Sequence, residues 1–287
     1  MERSVLQSYP VSTFQRDSPF VRVQSCMRTD RIRVEACLAE LLRVTSKAQW
    51  NPVPRAMEYA VMGEAQRIRP ILALRIARMI GKETEHTLRA AAAVELIHSA
   101  SLIVDDLPCM DDEKIRRGRA AVHLEFGEPT AILAAFSMVA MAARIVIETP
   151  SSKVDREQLH HFQLKLLRTL DCSSLIGGQS MDLALVGEER NAQRSTVNDM
   201  KTVPLFQLAV EAGCVSHSTG VPKELEAFGR QFGVAFQLSD DFLDNELEDR
   251  KTLDETYDQC RASLQPYGAN AEPLLELVEY LAARTNV

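Results

Sequence analysis

Apolar residues return every three or four positions from Asp30 onward, which is the spacing of one face of an α-helix. Pro52 or Pro54 can begin the next helix, since proline suits the first helical position. Residues 87–104 and 131–143 are stronger apolar runs that predict two buried helices. The longest uninterrupted run, 131–143, is too short to cross a bilayer, so the sequence predicts no membrane span.

Residues 1–29 lack this periodicity. They mix Ser, Arg, Pro and Gln and contain no continuous apolar core of the kind found in signal peptides. The sequence therefore predicts a loose N-terminal arm over residues 1–29, suited to packing on a neighbouring subunit, and one domain over residues 30–287.

The composition favours helices and excludes some functions. A chain of 287 residues can bury a large core, and its 12 glycines and 12 prolines leave most positions to helix-forming residues. The formal net charge of −7 argues against a nucleic-acid partner, which needs a basic surface. The six cysteines have no metal-ligand spacing, so a reducing cytoplasmic location is expected.

An acidic cluster stands where the apolar run 87–104 ends, and a basic cluster follows it. The acidic residues are Asp105, Asp106, Asp111, Asp112 and Glu113, and the basic ones are Lys114, Arg116, Arg117 and Arg119. Carboxylates this close raise one another's pKa unless a cation lies between them. Mg²⁺ suits such oxygen ligands, and arginines offer forked donors for phosphate oxygens. A solvated, charged helix end is the alternative for this cluster taken alone.

A second acidic set lies within residues 236–244, again after an apolar stretch. Asp240 and Asp244 are four residues apart, so on a helix they share one face and can hold one metal together. Two such helix ends facing each other could bind several Mg²⁺ ions around a diphosphate. This second set favours the metal interpretation of the first.

The two acidic sets resemble the two aspartate-rich motifs of trans-isoprenyl diphosphate synthases, the polyprenyl synthetase family. The matching residues are Asp105-Asp106-x-x-x-x-Asp111 with Arg116-Arg117-Gly118, and Phe236-Gln237-x-x-Asp240-Asp241-x-x-Asp244. The first spacer is similar to that of bacterial farnesyl and of bacterial and plant geranylgeranyl diphosphate synthases. The likeness extends over roughly residues 30–245. It implies an all-α fold, a single-domain antiparallel helical bundle of the isoprenoid synthase type around a deep central cavity, in a homodimer.

The resemblance also implies a reaction and a set of site residues. The reaction is condensation of isopentenyl diphosphate with an allylic diphosphate, in which about three Mg²⁺ ions per active site withdraw the leaving diphosphate. The implied catalytic residues are Asp105, Asp106, Asp111, Lys201, Asp240 and Asp241. The implied metal ligands are Asp105, Asp106, Asp111, Asp240 and Asp244. The implied substrate-binding residues are Arg69, His98, Arg116, Arg117, Gln179, Lys201, Thr202 and Gln237.

Two small residues at the end of the run 87–104 bear on product length. In the family, bulky side chains at the fourth and fifth positions before the first aspartate stop chain growth early, and here these positions are Ser101 and Ala100. The resemblance therefore implies a short-chain trans-prenyl product of C15–C20, with C20 favoured. The alternative is that Ala100 and Ser101 only allow close helix packing.

Four features depart from the family pattern. Gln66 stands where relatives have a lysine that holds isopentenyl diphosphate, and Val104 stands where many have a histidine immediately before the first aspartate. Phe136 stands where they have a buried aspartate, and it is expected to gain apolar contact.

The fourth departure follows Asp244. Relatives have a glycine- and lysine-rich lid there, and this chain lacks about 20 residues of it. Residues 245–252 follow Asp244 instead, and Lys251 is the candidate for the cation of the lid.

Two alternatives follow from these departures. A synthase-like terpene cyclase or diphosphate lyase would keep the allylic half of the site and lose the isopentenyl half, as Gln66 and Phe136 favour. A non-catalytic partner subunit of a synthase would tolerate the shortened lid, although complete aspartate motifs argue against it. The elongating synthase ranks first, because Arg69, His98 and Arg117 are retained.

Overall fold

The described part of the chain is almost entirely helical. The computed structural model describes residues 19–45, 50–149, 154–244 and 250–285, and these contain twelve α-helices, one 3₁₀ helix and one short hairpin. The helices are α1 (Pro19–Thr45), α2 (Val53–Val61), α3 (Ile68–Met79), α4 (Glu85–Asp105), α5 (Val122–Phe126), α6 (Glu128–Glu148), α7 (Arg156–Thr169), α8 (Leu175–Ala184), α9 (Gly187–Gly213), α10 (Lys223–Leu243), α11 (Arg250–Leu264) and α12 (Glu272–Arg284). The strands are β1 (Ile115–Arg116) and β2 (Arg119–Ala120), and the 3₁₀ helix is Gln265–Ala271. The all-α prediction is confirmed.

Helix α4 lies at the centre of the fold, where it packs against α3, α6 and α9. Its residues 90–94 are alanines and one valine, all fully buried. Alanine favours the helical conformation, and its small side chain lets neighbouring helices approach closely. Thr84 caps the helix by exchanging hydrogen bonds with Thr87. A well-defined central helix therefore ends at the first acidic cluster.

Helix α1 begins at Pro19, inside the residues that the sequence assigned to a loose arm. Proline suits the start of a helix, and the burial of Met27 shows that core contacts begin ahead of the predicted start. The helix start predicted at Asp30 is therefore wrong. Residues 1–18 of the arm and residues 245–249 of the shortened lid lie outside the described residues, so the arm, the domain division and the lid stay predictions.

Helix α6 is buried on one face only, which corrects the prediction of a buried helix. Ala134 and Met138 are fully buried, whereas Leu133 is 55% and Phe136 70% exposed. The prediction that Phe136 gains apolar contact is wrong, because Phe136 lies on the face of α6 that no other described helix covers. Among the described residues, α4 and α6 are long and apolar enough to be weak candidates for membrane spans, with 67% and 44% of their apolar windows buried.

Candidate active site

Asp105 is the last residue of α4. Burial raises the pKa of Asp105 to about 6, while Lys201 lowers it and Asp111 raises it. The spacer of the first motif forms a turn in which the backbone N–H of Asp111 donates to the Asp105 carbonyl at 2.9 Å, so the two aspartates lie together. A carboxylate whose pKa is raised by burial lowers folding stability when it is ionised. Groups with such shifted pKa values are typical of functional sites.

Asp106, a predicted metal ligand, is bound by an arginine of the hairpin. It is buried, and its Oδ1 accepts hydrogen bonds from Arg116 Nε at 2.9 Å and from Arg116 Nη2. This pair ties the hairpin to the end of α4, and the metal role of Asp106 stays a prediction. Arg116, predicted to bind diphosphate, is partly committed to the same ion pair.

Asp240 lies near the end of α10 and is bound by a residue that the sequence analysis missed. Its Oδ1 accepts a hydrogen bond from Arg284 Nη2 at 2.7 Å. Burial raises the pKa of Asp240, Arg284 lowers it and Asp244 raises it. The two carboxylates predicted to share a helix face are therefore close enough to influence each other. Asp244 directly follows α10 and is exposed.

Gln237 positions Asp241 by a network that links α9 to α10. Gln237 Nε2 donates to Asp241 Oδ1 at 2.9 Å, and Asn198 Nδ2 donates to Asp241 Oδ2 at 3.3 Å. Thr202 Oγ1 donates to Gln237 Oε1 at 2.6 Å. These bonds hold the second motif against α9, and the substrate contacts of Gln237 and Thr202 stay predictions.

Lys201 lies on α9 beside the first motif. Its Nζ donates to Asp182 Oδ2 at 2.7 Å, and it is close enough to Asp105 to lower the pKa of that carboxyl. Gln179 on α8 is buried, and neither of its amide atoms has a partner among the described residues. A buried amide of this kind needs a ligand or water, which is what its predicted substrate role would provide.

Gly178→Ala is expected to destabilise the protein by forcing α8 away from α9. A Cβ at this position would lie 2.7 Å from Met200 Cβ and 3.0 Å from the backbone nitrogen of Lys201. Overpacking costs about 1–3 kcal/mol, which exceeds the roughly 0.5–1 kcal/mol that alanine gains in a helix. Urea unfolding measures the loss. Ser180→Ala, exposed on the same helix, should be neutral or slightly stabilising, and equal stability of the two variants would mean that the helices separate freely.

A second basic cluster includes Arg69 and His98. The Arg69 guanidinium lies 4.6 Å from the centre of the Phe206 ring and 5.5 Å from that of Phe236, and its Nη1 is 3.4 Å from His98 Nε2. Burial lowers the pKa of Arg69 to about 10, which leaves it charged at neutral pH. Burial and the neighbouring arginines lower the pKa of His98 well below its usual value. The imidazole is therefore neutral and can accept a hydrogen bond.

Glu95, a buried carboxylate in the middle of α4, joins two arginines. Arg67 Nη1 donates to Glu95 Oε1, and Arg117 Nη2 donates to the same oxygen at 3.2 Å. Arg117 and Gly118 form the turn between β1 and β2 with φ of 53° and 73°, a left-handed conformation that suits two-residue hairpins. Arg117 Nη1 also donates to the Ala60 carbonyl at 2.9 Å. The motifs did not indicate a role for Glu95, although a glutamate inside an apolar helix is a signal in the sequence.

Ala100 and Ser101 have different surroundings. Ala100 is 3% exposed and belongs to the hydrophobic core. Ser101 is partly exposed, and its Oγ donates to the His98 carbonyl at 2.9 Å. Ala100 thus contributes to helix packing, and Ser101 is the more exposed of the two. The effect on chain length stays a prediction.

The surroundings of Lys251 do not indicate that it replaces the cation of the lid. Its side chain is 80% exposed on α11, and its Nζ lies 3.7 Å from Glu255 Oε1. Gln66, the other departure near the site, is exposed just before α3.

A pocket of about 340 Å³, open solvent included, lies beside α4 and the hairpin. Asp106, Arg116 and Arg117 line it together with apolar residues of α2 and α4. No residue of the second motif lines this pocket. It is therefore not the deep central cavity implied by the resemblance, which stays a prediction.

The carboxylates of the two motifs fit a hard divalent cation. Asp105 and Asp111 form one pair, and Asp240 and Asp244 form another. Within the described ranges, no three Asp, Glu, His or Cys side chains are grouped closely enough to hold a metal by themselves. Mg²⁺ is usually held by one or two carboxylates plus water and substrate phosphates. Two separate pairs therefore suit Mg²⁺ that arrives with a diphosphate.

Comparison with known sequences identifies relatives. Residues 51–258 match the model of the polyprenyl synthetase family. The chain is 35% identical over 199 residues to geranylgeranyl pyrophosphate synthase 4 of Arabidopsis thaliana, which covers 67% of this chain and 52% of that protein. It is 31% identical over 206 residues to farnesyl diphosphate synthase of Bacillus subtilis (strain 168), which covers 70% and 69%. The chain thus spans about half the length of the plant relative.

Solved structures of similar fold cover nearly the whole chain. A geranyltransferase from Legionella pneumophila superposes with a TM-score of 0.83 at 28% identity, covering 94% of this chain and 100% of that chain. An FPP/GFPP synthase from Zymomonas mobilis, solved without ligand, gives a TM-score of 0.83 at 28% identity, covering 91% and 99%.

Proposed function

Because the chain belongs to the polyprenyl synthetase family, we propose that it is a prenyltransferase of isoprenoid biosynthesis that condenses isopentenyl diphosphate with an allylic diphosphate. The observation that carries the proposal is the pairing of two aspartate-bearing helix ends with two separate basic groups. The charge of Lys201 lowers the pKa of Asp105, and the charge of Asp240 raises the pKa of Arg69. The names of the relatives, geranylgeranyl and farnesyl diphosphate synthases, support this substrate class.

The allylic diphosphate binds between the two aspartate motifs in this proposal. Asp105, Asp111, Asp240 and Asp244 would hold Mg²⁺, which when bound would supply positive charge to stabilise the leaving diphosphate. Lys201 adds a cation on the α9 side. The carboxylate of Asp182, 2.7 Å from Lys201 Nζ, keeps this ammonium in place.

Isopentenyl diphosphate binds at the second basic cluster. Arg69 and Arg117 donate hydrogen bonds to its diphosphate, and the neutral ring of His98 orients Arg69. The Phe206 and Phe236 rings that flank Arg69 exclude water, which would otherwise quench an allylic cation. The double bond can then attack the allylic carbon as the bond from that carbon to its diphosphate oxygen breaks. The condensed product loses a proton to the released diphosphate, which forms the new double bond.

A product assay tests this proposal directly. Purified protein is incubated with Mg²⁺, labelled isopentenyl diphosphate and the C5, C10 or C15 allylic diphosphate. We expect a C20 product, since the side chain of Ser101, four residues before Asp105, is small. A C15 limit would keep the prenyltransferase and contradict the role of Ser101. Diphosphate release without isopentenyl incorporation would favour a cyclase or lyase, and no turnover would favour a partner subunit.

Gln66→Lys is expected to lower KM for isopentenyl diphosphate about tenfold, because a charge-assisted hydrogen bond replaces a neutral one. The exposed position of Gln66 leaves room for lysine. Initial rates at varied isopentenyl diphosphate measure the change. Ala65→Lys adds the same charge one residue earlier and should have a smaller effect. An unchanged KM in Gln66→Lys would mean that the site binds this diphosphate without a contact at position 66.

A homodimer completes the proposal. The exposed face of α6 carries Leu133, Phe136 and Ile147, which are 55%, 70% and 46% exposed. Exposed apolar side chains on one helix are typical of an interaction site, and a second copy of the chain would cover them. Light scattering on the purified protein tests the dimer. A cytosolic location, expected from the cysteine pattern, is checked by cell fractionation.

A further inference from the structure

Arg284, the last residue of α12, contacts the second aspartate motif from a part of the chain that carries no motif. Its Nη2 donates to Asp240 Oδ1 at 2.7 Å, and its guanidinium lies 5.6 Å from the centre of the Phe236 ring. Its Nη1 is buried and has no hydrogen-bond partner among the described residues. One nitrogen of this guanidinium thus donates to a predicted metal ligand. The other terminal nitrogen, next to it, has N–H groups that no described residue accepts.

A second cation lies beside Arg284. The Arg69 guanidinium is 5.5 Å from the centre of the same Phe236 ring, and its buried Nε likewise has no partner in the described part of the chain. Asp240 interacts electrostatically with both arginines. Both guanidiniums therefore keep a buried donor without a partner among the described residues, and the forked donors of arginine suit phosphate oxygens.

The backbone next to Arg284 is held in place. Arg250 Nη1 donates to the Thr285 carbonyl at 2.7 Å, and the Arg250 guanidinium lies 5.6 Å from the centre of the Phe242 ring on α10. Thr285 is itself buried. Arg284 can therefore change its partner by rotating its own long side chain while the end of α12 stays attached.

We propose that Arg284 is a positioning residue that binds Asp240 in the metal-free protein and moves to a diphosphate oxygen when Mg²⁺ and diphosphate enter together. The inference rests on the proposed function, because it takes Asp240 as a metal ligand. A metal needs the carboxylate oxygen that Arg284 binds, so a metal alone must compete with the ion pair. When diphosphate enters as well, the displaced guanidinium gains a new anionic partner. Arg284 therefore makes the binding of metal and of diphosphate mutually favourable.

Mn²⁺ and inorganic pyrophosphate test this coupling without turnover. The signal of free Mn²⁺ in electron paramagnetic resonance measures metal binding to the protein alone at pH 8. Calorimetry at saturating Mg²⁺ measures pyrophosphate binding. In Arg284→Gln we expect Mn²⁺ alone to bind several-fold more tightly. Pyrophosphate should bind about tenfold more weakly, because one charge-assisted hydrogen bond is lost. A purely structural role would not shift the two constants in opposite directions.

Arg261→Gln is the matched control, since Arg261 pairs at the surface of α11 with Asp258 and Glu279, both at 2.8 Å. This variant removes the same charge and should leave both constants unchanged. Unchanged constants in Arg284→Gln, or a loss of both affinities, would overturn the inference.

Arg284→Lys keeps the charge but not the forked donors, so we expect smaller shifts in the same directions. If Arg284→Gln does not fold, wild-type constants in Arg284→Lys would overturn the inference instead. A wild-type protein that binds neither Mn²⁺ nor pyrophosphate would reject the proposed function and this inference with it. A wild-type protein that binds both, with unshifted variants, would reject the inference alone.

Discussion

Asp105→Asn is expected to lower kcat on the order of 10³-fold or more, because it removes a carboxylate that stabilises charge on the leaving diphosphate through the metal. The substitution conserves side-chain volume. Burial raises the pKa of Asp105 to about 6 in the folded protein. A carboxyl whose pKa is higher in the folded than in the unfolded protein stabilises the fold at low pH, where it is protonated. This contribution is lost as the pH rises through the folded-state pKa, so the ionised group destabilises the fold at pH 8. Removing the charge should leave the melting temperature at pH 8 unchanged or higher.

Asp112→Asn is the matched control for Asp105→Asn. Asp112 lies in the same loop, is exposed and pairs with Lys114. Its φ of 52° is left-handed, which asparagine tolerates well. This variant should retain wild-type turnover. Near-wild-type kcat in Asp105→Asn would reject the metal assignment, and a lowered melting temperature would show that Asp105 supports the fold instead.

Glu95→Gln is expected to lower the free energy of unfolding by about 3 kcal/mol, because it removes the buried counter-charge that Arg67 and Arg117 share. Arg67 retains an ion pair with Glu35, at 3.7 Å from its Nε. Arg67 is fully buried and Arg117 nearly so, and both donate to the same Glu95 oxygen. A domain of ordinary stability has only about 5–15 kcal/mol in total. The loss is therefore a large fraction of the whole. KM for isopentenyl diphosphate should rise as well, since Arg117 is no longer held in place.

Glu85→Gln separates this effect from the general loss of a carboxylate. Glu85 lies on the same helix, and its side chain is 62% exposed and 3.5 Å from Arg89. Exposed pairs contribute about 0–1 kcal/mol, so urea unfolding of this variant should match the wild type closely. Equal stability of Glu95→Gln and Glu85→Gln would mean that the buried arginines are neutralised by other groups.

The sequence by itself predicted the central helix, the proximity of two carboxylates and the family. Helical periodicity is a local property, so the run 87–104 predicted the central helix α4, which spans Glu85–Asp105. The spacing of Asp240 and Asp244 likewise predicted their proximity, because residues four apart share a helix face. Family membership followed from the order of the two motifs, and the match over residues 51–258 confirms it.

Only the tertiary structure decided which partner each charged group has. Asp106 is bound by Arg116 across the hairpin, and Asp240 by Arg284 from the end of α12. Such partners are set by which elements pack together, and no local spacing encodes that. The exposure of Phe136 has the same cause, since periodicity identifies an apolar face of α6 but not whether another part of the chain covers it.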